Sequence, residues 1–246
     1  MSSSEGDWGR DALWPVDGSR VIKAARDAAL DPQTWVPAAG ALVFTIDHWD
    51  RHVSDWAIEH TPAFGSQDGA SNASDILLVA LTAETVVTAL AAPSGRDFKQ
   101  WTNDKLKGVA VEVGALGVNA LGTEALKSWI GRPRPNGEGK SFPSGHASGA
   151  FGTATLSNLN LNSIDMPGLV RQAMQIGNLG LASGVAWARV EGGHHYPSDV
   201  LAGAALGHFI TAFIHDAFMN LPKDGSVDVA LAPLEGGGAV SVGWRF

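Results

Sequence analysis

Two adjacent histidines, His194 and His195, stand in the stretch EGGHHYPSDV between a glycine pair and a proline, and Asp199 follows His195 by four residues. A four-residue spacing places two side chains on one face of a helical turn. The carboxylate can accept a hydrogen bond from one ring nitrogen, fix the tautomer and leave the other nitrogen's lone pair free to attack an electrophile. His194 has no partner at that spacing and reads as a wall or solvent-facing residue. Asp199 has a second reading: as the third residue of a helix that begins at Pro197, it can reach back and cap its own helix.

Two further clusters carry polar chemistry. In SFPSGHAS, Pro143 is expected in the first turn of a helix, so the N–H groups of Ser144, Gly145 and His146 point out of an N-terminus that receives anions well. Gly145 admits a ligand, Ser144 adds a hydroxyl, and His146 lies close enough to exchange a proton with a bound group. In KSWIGRPRP, Lys127 occupies a last helical turn, and Arg132 and Arg134 each precede proline, which biases both towards extended backbone. Arg189 ends the helix before the glycine pair. Each cluster has a plainer reading: Lys127 complements a helix C-terminus, the two arginines are solvated, and His146 is a surface histidine. A metal site built from His146, His194, His195 and Asp199 is disfavoured, because three neighbouring cations would repel the ion.

Taken together, the three clusters resemble the signature of the type 2 phosphatidic acid phosphatase and vanadium haloperoxidase superfamily. That signature is Lys, six residues, Arg-Pro; then Pro-Ser-Gly-His; then Ser-Arg, five residues, His, three residues, Asp. Lys127 to Arg134-Pro135, Pro143 to His146, and Arg189, His195 and Asp199 satisfy it, with Ala188 standing where the family carries serine. The resemblance covers residues 127–199. It implies an all-α, single-domain helical bundle and a metal-independent phosphatase that needs no cofactor. His195 would be the nucleophile that becomes phosphohistidine, Asp199 its orienting partner and His146 the acid for the leaving oxygen. Lys127, Arg134, Ser144, Gly145 and Arg189 would hold the phosphoryl oxygens. Substrates would be phosphomonoesters or diphosphates: a lipid phosphate, an isoprenoid diphosphate or a small soluble ester. A vanadium-dependent haloperoxidase using the same pocket is the alternative enzyme; vanadate would inhibit the phosphatase and activate the haloperoxidase. A non-catalytic periplasmic or outer-membrane-associated helical protein is the third reading. A bound phosphate dianion and the nearby carboxylate are expected to raise the pKa of His146 or His195.

The elements that must position these residues read as helices at about 18–30, 33–60 with a break near Asp47, 74–92, 98–130, 144–159, 167–190 and 197–220. The last is apolar nearly all round and is expected at the centre of the bundle. Interior glycines such as Gly114, Gly117, Gly122, Gly203 and Gly207 each cost about 1 kcal/mol in a helix, which close packing must offset. Residues 1–18 are expected to be a flexible lead-in, 19–222 the phosphatase domain, and 223–246 a tail whose period-two alternation suggests a β-hairpin.

A net charge of −8 over 246 residues argues against a nucleic-acid partner. Cysteine is absent, which removes disulfides and thiolate sites. No apolar segment follows Met1, so a mature periplasmic or secreted form is expected, with membrane-associated and cytoplasmic placements as the other options. The longest apolar stretches, such as 200–214 and 32–46, fall short of the ~18–20 residues of a span, and Glu84, Glu112 and Glu124 break others. The helices therefore read as a soluble bundle, with nine tryptophans suited to contact with a membrane surface.

Overall fold

The computed structural model describes residues 8–13, 17–219 and 221, and the backbone of two C-terminal strands. Its helices are α1 (Gly18–Leu30), α2 (Pro32–Phe44), α3 (Trp49–His60), α4 (Gln67–Ala91), α5 (Phe98–Ile130), α6 (Gly145–Ser163), α7 (Gly168–Glu191) and α8 (Pro197–Met219). Strands β1 (Val227–Leu234) and β2 (Gly237–Trp244) pair antiparallel, with Leu234 opposite Gly237. The fold is all-α up to that hairpin.

Local chemistry sets most boundaries. Asp17, Asp31, Ser66, Asp97 and Ser144 each accept a backbone N–H of the helix they precede, and Gly131 ends α5 in the left-handed conformation. The break between α2 and α3 falls where it was expected, with Asp47 and His48 both at positive φ. Helix α4 begins seven residues before the expected start at Ser74. Ser66 caps it through Gly69, and the helix runs through polar residues whose side chains compete with the backbone and hide it from the sequence.

Helix α8 packs against α1, α2, α5, α6 and α7, which makes it the axis of the bundle. Its contact with α6 is backbone on backbone: a Cβ at Gly207 would lie 2.1 Å from the Ser148 carbonyl oxygen, and one at Gly203 2.6 Å from that of Ser144. Gly114 and Gly117 do not follow this rule, since nothing lies within 4 Å of a Cβ built at either. They face outward on α5.

Helices α4 and α5 have reversed polarity. The buried stripe of α5 contains Asp104, Lys105, Glu112, Asn119 and Thr123, while Leu106, Val113, Val118 and Leu121 are exposed. On α4, Ser74, Thr85 and Thr88 are buried, while Ile76, Val79, Val86, Val87 and Leu90 are exposed. A helix in water does the opposite. With α8, these helices are long and apolar enough to cross a membrane, which overturns the expectation that no segment would be. The linear sequence counts the acids that interrupt it, but the helix turns Glu112 into the interior and pairs Glu84 with the Asn178 amide at 2.9 Å.

Residues 8–13, the described part of the lead-in before Asp17, contribute to the core. Trp8 is buried, its indole N–H donates to Asn160 Oδ1 at 2.9 Å, its backbone N–H donates to the Pro93 carbonyl, and Lys105 Nζ lies 4.4 Å from its ring centroid. Gly108 makes the seat, since a Cβ there would come within 2.3 Å of the indole. Trp8→Ala is expected to lower stability by about 3–5 kcal/mol, measured by thermal unfolding, because a large cavity and an unpaired Asn160 are left together.

Candidate active site

One end of the bundle gathers the C-termini of α5 and α7, the N-termini of α4, α6 and α8, and the loop 131–144. That loop is pinned across itself by Ser141 N–H to Arg132 O (2.7 Å) and Arg134 N–H to Gly139 O (3.2 Å), and to the histidine turn by Asn136 N–H to Gly193 O (3.2 Å). Lys127 Nζ reaches to 3.5 Å from a Cβ position on Gly145, so the first and second sequence clusters meet.

The N-terminus of α6 differs in detail from the sequence expectation. Pro143 precedes the helix, Ser144 is its N-cap, and Gly145 and His146 open it. The Ser144 N–H is not free for an anion, because it donates to the Asp199 carbonyl at 2.9 Å. That bond ties the second cluster to the third. Gly145 and His146 hold first-turn positions, where N–H groups have no intrahelical acceptor.

Arg189 O accepts the N–H groups of both His194 and His195 at 3.1 Å, with Gly193 at positive φ making the turn. His195 is then fully buried, and His194 points at α4, where its Nε2 lies 2.9 Å from Ser71 Oγ. Asp199 makes the helix cap read from sequence and faces His195 without hydrogen-bonding to it. Its Oδ2 accepts the Tyr196 N–H at 2.8 Å, a cap on α8, and lies 3.8 Å from His195 Nδ1, longer than a hydrogen bond.

Asp199 Oδ1 is held by a residue the sequence reading left in solvent. Arg132 Nη1 donates to it at 2.9 Å and to Ser198 Oγ at 2.8 Å, while Nη2 donates to Asp50 Oδ2 at 2.7 Å. The guanidinium stacks on Tyr196, 4.0 Å from the ring centroid. Asp50 in turn accepts the Ser198 N–H at 2.8 Å and also pairs with its hydroxyl. Proline after Arg132 fixes the direction of its backbone, but nothing in the linear chain identifies Asp50 as its partner. Glu191 is buried and accepts from Ala63 N–H, Phe64 N–H and Trp187 Nε1–H, anchoring the α3–α4 connection.

The early turns of α4 supply the remaining wall, with Ser71 from the turn before the expected start and Ser74 and Asp75 from the first residues after it. Ser71, Ser74 and Asp75 lie on one face and meet His194, Arg189 and His146 respectively. Arg189 Nη1 donates to Ser74 Oγ at 3.1 Å, and His146 Nε2 lies 2.9 Å from Asp75 Oδ1. Arg189 is buried, and its Nε has no protein acceptor.

Burial lowers the pKa of His195 from the ordinary imidazole value, and Arg189 and Arg134 add to this against the opposing pull of Asp199. Desolvation also lowers His146, with Arg189 and Lys127 assisting and Asp75 opposing. His194 falls to about 4, chiefly by burial and then by Arg189. In the protein alone, burial and the cations thus outweigh the carboxylates that were expected to raise these values. No group of three His, Asp or Glu side chains suited to a metal ion occurs among the described residues. His208 lies deeper in the bundle, bonded to Thr155 Oγ1 at 2.8 Å.

Residues 136–223 match the family model described as PAP2 superfamily. A lipid A 1-phosphatase of Porphyromonas gingivalis is 34% identical over 125 residues, or 50% of this chain, and the match spans 27% of that relative's length. A solved structure described as the first transmembrane PAP2 type phosphatidylglycerolphosphate phosphatase from Bacillus subtilis superposes with a TM-score of 0.55 and 19% identity, covering 79% of this chain and 94% of that one. The motif residues from Ser144 to Asp199 all lie inside the segment that matches the PAP2 family model, and the helical bundle is similar to that of a solved PAP2 structure.

Proposed function

We propose that this protein is a membrane-embedded phosphatase that hydrolyses a lipid phosphate without a metal ion, through a phosphohistidine on His195. The observation that carries the reading is the Arg189 guanidinium, buried, with Nε lacking a protein acceptor, and within electrostatic reach of the exposed Asp75 carboxylate, which attracts it, and of Arg134, which repels it. No carboxylate forms an ion pair with it among the described residues. A buried cation in that state is costly, and an anion offering several acceptor oxygens relieves the cost. Arg189, Arg134 and Lys127, with the Ser144 hydroxyl and the first-turn N–H groups at Gly145 and His146, suit the spread equatorial charge of a phosphoryl group in transfer.

In this reading Nε2 of His195 attacks phosphorus while Nδ1 faces Asp199. The P–O bond breaks as His146 gives its proton to the leaving oxygen, and water then hydrolyses the N–P bond. Lowered pKa values suit the two histidines differently. They keep His195 neutral and nucleophilic, whereas His146 needs the arriving phosphate dianion to hold its proton.

The apolar exterior supports the lipid substrate, as do the names of the two relatives. Helix α5 spans about 50 Å, longer than the ~30 Å hydrocarbon layer. Aromatic residues mark both of its ends, with exposed Phe98 and Trp101 at one and Trp129 at the other, where Trp49 and Trp56 of α3 also face outward. Such belts lie at the headgroup level. The catalytic end would then sit where a lipid carries its phosphate.

Three outcomes test the proposal. Purified in detergent with a chelator present, the protein is expected to hydrolyse a dialkylglycerol phosphate faster than a short aryl phosphate; His195→Asn should cut kcat about 10⁴-fold or more and abolish phosphohistidine trapping. Retained labelling in that variant removes His195 from the mechanism. The descending limb of kcat/KM, which reports the free protein, should fall below the ordinary imidazole pKa of 6.5, and the limb of kcat should lie at higher pH because bound phosphate raises His146. Coincident limbs in the two profiles count against His146 as the acid. Arg132→Ala is expected to cost about 2–3 kcal/mol of stability, because it strands the buried Asp199 and Asp50 while Arg132 itself is partly exposed, and to lower kcat with little change in KM. Arg132→Lys should restore charge but not the two-carboxylate fork.

A further inference from the structure

We infer that Asp75 is a positioning and specificity-determining residue on the leaving-group side of the site, holding His146 as proton donor and selecting monoesters of neutral alcohols over diphosphates. The inference rests on the phosphatase reading and names its substrate class. Asp75 lies on α4, outside both the motif residues and the matched segment 136–223, and no rule of spacing connects it to His146.

The geometry places Asp75 Oδ1 2.9 Å from His146 Nε2, the ring nitrogen farther from the backbone. In the proposed reaction that nitrogen must face the leaving oxygen, so the carboxylate stands at or beside the position that oxygen takes. Its side chain is 65% exposed, so it can move aside as a substrate enters, and its charge also attracts the buried Arg189. The charges facing His146 come from every neighbouring element: Lys127 on α5, Arg189 on α7, His194 before α8, and Asp75 on α4. All but Asp75 disfavour the imidazolium.

Two consequences follow. While the carboxylate is near, the imidazolium that must donate is favoured, and its N–H is aimed. When the P–O bond breaks, the Nε2 proton passes to the leaving alkoxide, and a neutral imidazole and a neutral alcohol remain beside Asp75. A diphosphate would instead bring a second phosphate, with its own negative charge, against the same carboxylate. Like charges at that range repel, and partial exposure screens the effect to a modest factor.

The test compares an alkyl phosphate with the diphosphate of the same alcohol, on wild-type protein, Asp75→Asn, Asp75→Ala and His146→Ala, with kcat and kcat/KM measured across pH and the His146 ring titration followed by NMR. Wild-type protein is expected to prefer the monoester by about tenfold or more. Asp75→Asn keeps a hydrogen-bond acceptor and removes the charge. It should bring the two substrates towards parity, move the descending limb of kcat and the His146 titration to lower pH, and leave phosphohistidine trapping intact. Asp75→Ala should in addition lower monoester kcat by about tenfold or more, within the range general acids contribute. Turnover in the wild type with an unchanged substrate ratio and unchanged His146 titration in Asp75→Asn overturns this inference and leaves the phosphatase reading standing. A wild type that hydrolyses neither substrate and traps no phosphohistidine overturns both.

Discussion

Gly203 and Gly207 on α8 rest on the backbone of Ser144 and Ser148 on α6, so closely that a single added carbon at Gly207 would overlap the Ser148 carbonyl. Two helices can approach this far only where one has no side chains at the crossing. The consequence is at their N-termini. With the axes this close, Ser144 N–H reaches the Asp199 carbonyl, and the turn that carries His146 is fixed against the turn that carries His195 and Asp199. The remaining helices then arrange cations around a pair that is already set: α5 brings Lys127, α7 brings Arg189, and the pinned loop between α5 and α6 brings Arg134.

Charge in the site is handled asymmetrically. The Asp199 carboxylate is held on both oxygens by protein donors, Arg132 on Oδ1 and the Tyr196 amide on Oδ2, with His195 Nδ1 3.8 Å away. The Arg189 guanidinium is the reverse, buried yet short of acceptors. A structure that neutralises its buried anion and leaves its buried cation short of acceptors is organised to receive a negative ligand. Burial is also what depresses the imidazole pKa values, so in the proposed reaction the same low-dielectric setting that would strengthen phosphate binding would keep His195 unprotonated.

The exterior obeys a different solvent. Helices α4 and α5 turn acids, amides and hydroxyls inward and present valine, leucine and isoleucine outward. Interior polar groups are affordable there because they find one another: Thr85 with Ser157, Thr123 with Ser148, and Asn119 with the Ser148 carbonyl. An apolar band that ends in exposed tryptophans beside the proposed active site would join the architecture to the chemistry, since it would set the depth at which a phosphate meets Arg189.

Much of this was legible in the chain alone. Helix ends and breakers act over three or four residues, so the 98–130 helix and the break near Asp47 could be read from the chain, and the order and spacing of Lys127, Arg134, Ser144, Gly145, His146, Arg189, His195 and Asp199 pointed to the proposed phosphate site. Only the folded structure decided which polar residues from distant segments complete it. Asp50 with Arg132, and Ser71, Ser74 and Asp75 along α4, come from parts of the chain that carry no motif, and their roles arise from helix packing rather than from spacing. The outward face of the bundle was hidden for the same reason: hydropathy along a line averages over all sides of a helix, whereas the side that meets solvent or lipid is chosen by which neighbours pack against the other.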